Sequence, residues 1–363
     1  MLFFLQFGKI TYAEELEKED LLKTLDIDAV SKELKSIMGK NDISFSEIMS
    51  AFMSGDVDKA FGMTKEKIIE KIIWEFKDNR MLIGKMIVLI IFAAVFNSFS
   101  DIMKSSYVGE NGFYVTYMML TVLMMTSFQL IYGIALEAGE QICEIMQCII
   151  PVFAMSMTIS SGITTSQAVY QLFMVGITFT EKMIVGFLLP IINIYLVLVL
   201  VNNLSKEDRF SKMASLMKNG IFWTLKSILA FIVGLNMIKG LVVPVYDSVK
   251  KSLWQKGIAM IPGGSAVSAF SDILINSGVL IKNSIGAAAV LILITVVSMP
   301  VVKIFVFLVS YKVLLAAVQP ISDARIVKGM QGVVDASKLV LSSIGTIVIL
   351  FVISIAVMAA ATN

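Results

Sequence analysis

LVLSSIGTIVILFVISIAVMAA (Leu339–Ala360) is an uninterrupted apolar run with no charged residue. As a helix rising ~1.5 Å per residue it reaches ~33 Å, which matches a bilayer core of about 30 Å. In hydrocarbon every backbone N–H and C=O must be satisfied within the protein, so only helices and closed barrels cross. Continuous apolarity without two-residue alternation selects the helix.

Working outward, similar blocks fill the chain to its left. Gly286–Val318 is apolar but carries Pro300, Lys303 and Lys312. As one helix it would reach ~50 Å, so it is bent, steeply tilted or in two pieces. Ile221–Val243 is a further span, with Lys226 and Lys239 near its two ends and reading as snorkelling side chains. Cys148–Leu204 is too long for one crossing and is interrupted by Ser160-Ser161-Gly162 and by Glu181-Lys182. It reads as three short spans, or as one span (Met183–Asn203) after re-entrant segments. The Glu181-Lys182 pair reads as a tight turn between two spans, or else as a buried pair lining a cavity. Phe113–Leu136 and Met81–Phe99 complete the set, with Lys85 near an end of the latter. The expected fold class is therefore all-α: a polytopic membrane helical bundle of six to eight spans occupying 79–363.

Composition agrees. Hydrophobic residues make up 57% and charged residues 16% of the 363-residue chain, with mean hydropathy +0.84. An average soluble domain is about 45–50% apolar and about 25% charged. A net charge of +2 gives no footprint for nucleic acid. The chain has no His, which removes His bases, His metal ligands and His-activated nucleophiles. Its two cysteines, Cys143 and Cys148, are a poor metal set and read as apolar filler. HExxH and Walker motifs are absent, so no enzyme activity, metal or cofactor is expected.

The first 78 residues differ. Residues 1–13 are apolar and end in Thr11-Tyr12-Ala13, reading as a truncated signal peptide or merely a greasy terminus. Residues 14–78 form a polar helical region, expected outside the cytoplasm if the signal reading holds. Asp28 caps one expected helix, through Ile37 to Gly39. Ser44-Phe-Ser-Glu47 is a capping box opening a second, which ends at Gly55. An amphipathic helix after Thr64 leads into the first span.

Loop charges set an orientation through the positive-inside rule. Ser100–Gly112, Ser205–Gly220 and Gln319–Lys338 read as cytoplasmic, the last two carrying Lys206, Arg209, Lys212, Lys218, Arg325, Lys328 and Lys338. The segment Glu137–Gln147, with three Glu and no Lys or Arg, reads as an outer loop. Pro244–Ile285 breaks the pattern, since it should be outside yet carries Lys250, Lys251, Lys256 and Lys282.

Two stretches resemble each other. Pro151 and Pro190 bracket a Ser/Thr/Gly-rich segment; Pro262-Gly263-Gly264 and Pro300 bracket another of nearly equal length. Repeats with Gly/Pro breaks in corresponding places line the pathway in many transporters. These positions, and Lys303 as an ionisable group deep in a span, are the candidate pathway residues, against a plain reading in which they mark flexible breaks and Lys303 reaches water beside one.

The C-terminal half carries a resemblance. Gly263-Gly264-Ser265, the run Val279–Gly286, and above all Gln319-Pro320 with Asp323 and Arg325-Ile326 resemble the stage III sporulation protein AE family of endospore-forming bacteria. The overall layout is similar too, across nearly the whole chain. The resemblance implies a multi-pass protein of the mother-cell membrane around the forespore. It implies work within a channel or secretion-like complex beside an ATPase, small membrane proteins and ring-forming subunits, with homo-oligomerisation open. It supplies no catalytic residue. The competing reading is a stand-alone secondary transporter, which calls for ionisable groups paired inside the bundle.

Overall fold

A computed structural model describes residues 27–38, 44–56, 106–161, 163–204, 207–234, 264–320 and 322–361, with a few isolated positions between 58 and 95. Apart from Gly84, Val88, Ile91 and Val95, the expected first span lies outside the described residues, as do the helix after Thr64, residues 1–13, Pro262 and Gly263. Every regular element described is a helix, and five are long and apolar enough to cross a membrane.

Two short helices come first, α1 (Ile27–Met38) and α2 (Phe45–Met53). They match the expected helices, and Gly55 stops α2 in the left-handed region at φ 78°. The capping box does not form. Ser44 is the N-cap of α2 but makes no side-chain cap bond. Its hydroxyl is engaged by Ser46 at 2.8 Å and Ser31 at 3.4 Å, which stitches α2 to α1. Leu34, Phe45 and Ile48 are fully buried, and α1 packs on the helix Ser106–Ser161 while α2 packs on the helix Gly264–Val318.

The long helices are α3 (Ser106–Ser161), α4 (Ile163–Thr180), α5 (Leu189–Asn202), α6 (Ser211–Gly234), α7 (Gly264–Val318) and α8 (Ala324–Ala361). A π-helical segment, Glu181–Leu188, joins α4 to α5. Several expected loops are therefore helix. Glu137–Gln147 is no outer loop but the middle of α3. Its apolar residues Ala138, Ile142, Cys143, Ile145 and Met146 recur at helical spacing and are all buried. Gln319–Lys338 is mostly the first four turns of α8, and Ser265–Ile285 belongs to α7.

Between 148 and 204, α4 folds back along α3: Ser166 Oγ donates to the Ala154 carbonyl, and Gln147 Nε2 reaches Glu181 at 3.5 Å. Glu181-Lys182 is not a turn. It opens the π-helical segment, whose wider winding shows where the Leu189 amide reaches back five residues to the Ile184 carbonyl. Pro190 follows at once, and a proline ring clashes with the carbonyl four residues before it in regular α geometry. Pro151 and Pro300 lie inside unbroken helices. Each removes one ladder bond without ending its helix, so the Gly286–Val318 block is not two pieces. The two Pro-bounded stretches are also built differently: the first is shared among α3, α4 and the π-helical segment, whereas 264–300 is a single helix.

Contacts fix the relative levels. The first turns of α3, the end of α5 and the start of α8 meet where Tyr117 Oη donates to the Leu200 carbonyl at 2.9 Å. The Arg325 guanidinium lies 3.4 Å from the Phe113 ring centroid at the same end. A methyl at Gly286 would meet Phe153 and Ile355 at 3.2 and 3.3 Å, so α7 runs antiparallel to α3 and α8 at the far end. The starts of α3, α6 and α8 and the ends of α5 and α7 thus gather at one end. These are the segments the loop charges read as cytoplasmic. Cys148 Sγ, toward the other end of α3, approaches the Val30 carbonyl of α1 at 4.0 Å.

Helices are not driven together in lipid by water, so close packing and small residues matter more. A methyl at Gly332 would lie 2.5 Å from Val199 Cγ1 and one at Gly329 2.9 Å from Tyr117 Oη. Only glycine lets α8 sit this close to α3 and α5.

Candidate functional site: a charged face at mid-span

The family-like Gln319…Arg325 motif builds the turn between α7 and α8. The Gln319 amide closes the last turn of α7 onto the Leu315 carbonyl at 2.9 Å. Pro320, exposed beside it, is suited to a turn that cannot continue the helix. Asp323 is the N-cap of α8: its Oδ1 accepts the Arg325 amide at 2.8 Å and Arg325 Nε at 3.3 Å. That geometry holds the Arg325 plane over Phe113, a cation–π contact between α8 and α3. A second polar layer lies just above. Asp335 pairs with Lys218 at 2.8 Å and Lys338 at 3.4 Å, and Asp208 with Lys328 at 3.5 Å and Asn202 at 3.0 Å. These contacts lock the bundle end.

The nominated pathway residues that are described lie on three helices. Pro151 is half-buried in α3, Pro190 is the second residue of α5, and Gly264 is the first of α7. Pro300 and Lys303 lie one turn apart in α7, and Lys303 is half-buried in a continuous helix rather than beside a break.

Two charged features escaped the sequence reading. The first is Lys282, fully buried. Its Nζ donates to the Ala359 carbonyl at 3.4 Å, placing a cation at the negative end of α8. It was hidden because 244–285 read as a loop.

The second is an acidic face. Glu137, Glu140, Glu144 and Gln147 recur every three or four residues on the exposed side of α3. Their depth is fixed by Gly139. A methyl there would lie 2.7 Å from Val185 Cγ2 and within 3.8 Å of Ile344 and Ile347. Val185 is near the middle of the apolar stretch Ser166–Asn202, and Ile344 and Ile347 lie inside the apolar run of α8. The acids thus sit at the centre of the spans, not at a membrane surface. Glu137 is reached by Gln141 Nε2 and Glu181 by Gln147 Nε2, both at 3.5 Å, and Gln129 Nε2 donates to Asn193 Oδ1 at 3.1 Å. The polar face therefore spans α3, the π-helical segment and α5. Among the described residues Glu140 and Glu144 have neither a hydrogen-bond nor an ion-pair partner. The signal was legible as spacing, had the three acids been read as a helix face. No group of residues fit to hold a metal ion occurs among the described residues.

Comparison with known proteins gives two matches. Residues 43–362 match the family described as stage III sporulation protein AE. Stage III sporulation protein AE of Bacillus subtilis (strain 168) is 21% identical over 316 residues, covering 86% of this chain and 79% of that protein. No solved structure matches.

Proposed function

The chain belongs to the stage III sporulation protein AE family, and from that premise we propose that it is an integral membrane subunit of the mother cell–forespore channel complex. It works within an assembly and not as a stand-alone transporter. The observation that carries this reading is the exposed acidic face at mid-span. A charged side chain at the bilayer centre costs about 2.5–3.5 kcal/mol on insertion scales, and such groups normally face a bundle interior, a partner or a water-filled cavity. A solitary transporter would turn them inward. Here they point outward, which suits a surface completed by other membrane subunits. The buried cation, Lys282, is engaged with a helix end and so serves structure.

The expected setting is the mother-cell membrane around the forespore, with an ATPase and ring-forming proteins as neighbours in the complex. Residues 14–78 face the space between the two membranes in this scheme. Their described helices pack toward the end of the bundle opposite the basic segments, as the scheme requires. Deleting the gene in its host, inducing sporulation and scoring heat-resistant spores with a late forespore reporter tests the assignment. Loss of both after normal engulfment, restored by expression in the mother cell alone, is the expected result. Normal spore yield sinks it and leaves the transporter reading.

A further inference from the structure

A second ionisable group sits at the same depth on a different side of the bundle. Lys226, on α6, is exposed. Helix α6 is the least buried of the five spans, and Trp223 and Leu216 on it are 71% and 73% exposed. It lies along α8, with Lys218 bonded to Asp335. Phe222 lines a cleft with Leu339 and Ser342, and Phe231 lines a cavity with Leu350 and Phe351. Lys226, one turn beyond Phe222, is therefore level with Ile344 and Ile347, the residues that touch the Gly139 position. Lys226 and the Glu140–Glu144 face thus lie at one depth. Among the described residues no ion pair joins them within one chain, and the Lys226 ammonium rests on the Phe222 ring, 4.4 Å from its centroid.

We infer that copies of this chain associate head to tail. The exposed face of α6 around Lys226 seats on the acidic face of α3 in the next copy, and Lys226 pairs with Glu140 and Glu144. The inference rests on the reading of the chain as an assembly subunit. A second copy is the occupant because the chain itself exposes complementary charges at matched depth, each of them costly in lipid. One repeated contact removes both from lipid. Exposed apolar residues border the charges: Trp223 on α6, and Met155 and Leu130 on α3. Because the two surfaces differ, the contact is heterologous, and such contacts close into rings where the rotation permits. Glu137 and Glu181 stay with their glutamine partners, and Lys182 is the other exposed cation beside the face.

The test uses the full chain with Cys143 and Cys148 replaced by alanine, produced in its sporulating host as two differently tagged copies. One carries Lys226→Cys and the other Glu140→Cys. A short bis-methanethiosulfonate linker is added to membranes. The expected product is a dimer carrying both tags, several-fold above that from Lys226→Cys paired with Lys312→Cys, an exposed position on α7. A single chain with Gln147→Cys and Glu181→Cys must link internally, which shows that the fold and the reagent are sound. With that control positive, a 226–140 yield no higher than the 226–312 yield overturns the inference. So does exclusive linkage of Glu140→Cys to some other membrane protein. Spore yield is scored separately. Normal sporulation without the gene sinks the proposed function whatever the linker shows, whereas absent linkage with gene-dependent sporulation sinks only this interface.

Discussion

Gly329→Ala and Tyr117→Phe should be strongly coupled, and the sign of the coupling follows from one contact. Tyr117 is 1% exposed, and its hydroxyl is held by the Leu200 carbonyl at 2.9 Å. A methyl at Gly329 would lie 2.9 Å from that oxygen, inside van der Waals contact, with Leu200 and Met124 at 3.5 Å. The ring cannot retreat without breaking its hydrogen bond or shifting α8 from α3. Overpacking of this kind typically costs about 1–3 kcal/mol. Tyr117→Phe alone loses one buried bond, worth about 0.5–1.5 kcal/mol net. In the double variant the obstructing oxygen is gone, so the alanine methyl fills the space it leaves. The double variant should be more stable than the sum of the single effects predicts, by about 1 kcal/mol or more. Reversible unfolding in mixed micelles, followed by far-ultraviolet circular dichroism against detergent composition, measures the cycle. Additivity to within about 0.5 kcal/mol, the behaviour of independent sites, would refute the close approach of α8 to Tyr117.

Other outcomes follow from single contacts. Asp323→Ala should lower stability by about 1 kcal/mol, since it removes the N-cap of α8, while Asp323→Asn, which keeps an acceptor, should change it by less than half of that; thermal unfolding in detergent separates the two. Phe45→Ala, at a fully buried site on α2, should cost about 3–5 kcal/mol, seen as faster protease cleavage ahead of α3 while the long helices stay intact. Lys282→Ala should release the last turn of α8 and speed hydrogen exchange there, with little effect around Asp323 at the other end of the helix. Lys303→Met should impair sporulation at normal protein levels if Lys303 lines a pathway; wild-type spore counts in that variant would reduce it to a half-buried side chain of α7.

Much of the fold was legible because its decisive signal is long-range apolarity. Leu339–Ala360, Ile221 onward and Phe113–Leu136 read as helices from their own residues, and so they are. The errors lie where charge and proline were taken as punctuation. Glu137, Glu140 and Glu144 looked like an outer loop because acids are costly in lipid, yet their spacing and the apolar Ile142 and Cys143 between them already favour one helix. Pro300 and Pro151 looked like breaks because a lone helix loses a bond there, but packing on neighbours keeps both helices continuous. The capping box at Ser44 failed because the hydroxyl the motif needs is engaged by Ser46 at 2.8 Å and by a tertiary partner, Ser31, at 3.4 Å. The Gln319…Arg325 turn was recognisable as a motif, but not its physical role as a cap and a cation–π clasp on Phe113, which depends on α3 from two hundred residues earlier. The depth of the acidic face was hidden for the same reason, since it is set by Val185, Ile344 and Ile347.

The central claim is that charges exposed at mid-span are satisfied only in an assembly on which sporulation depends. Heat-resistant spore counts in strains whose single chromosomal copy carries Glu140→Lys, Lys226→Glu or both test it most directly, with protein levels checked by immunoblot. Each reversal alone should reduce the count by orders of magnitude at near-normal protein level, and the double reversal should recover most of it. Single reversals that sporulate normally, or a double variant no better than either single one, would contradict the account.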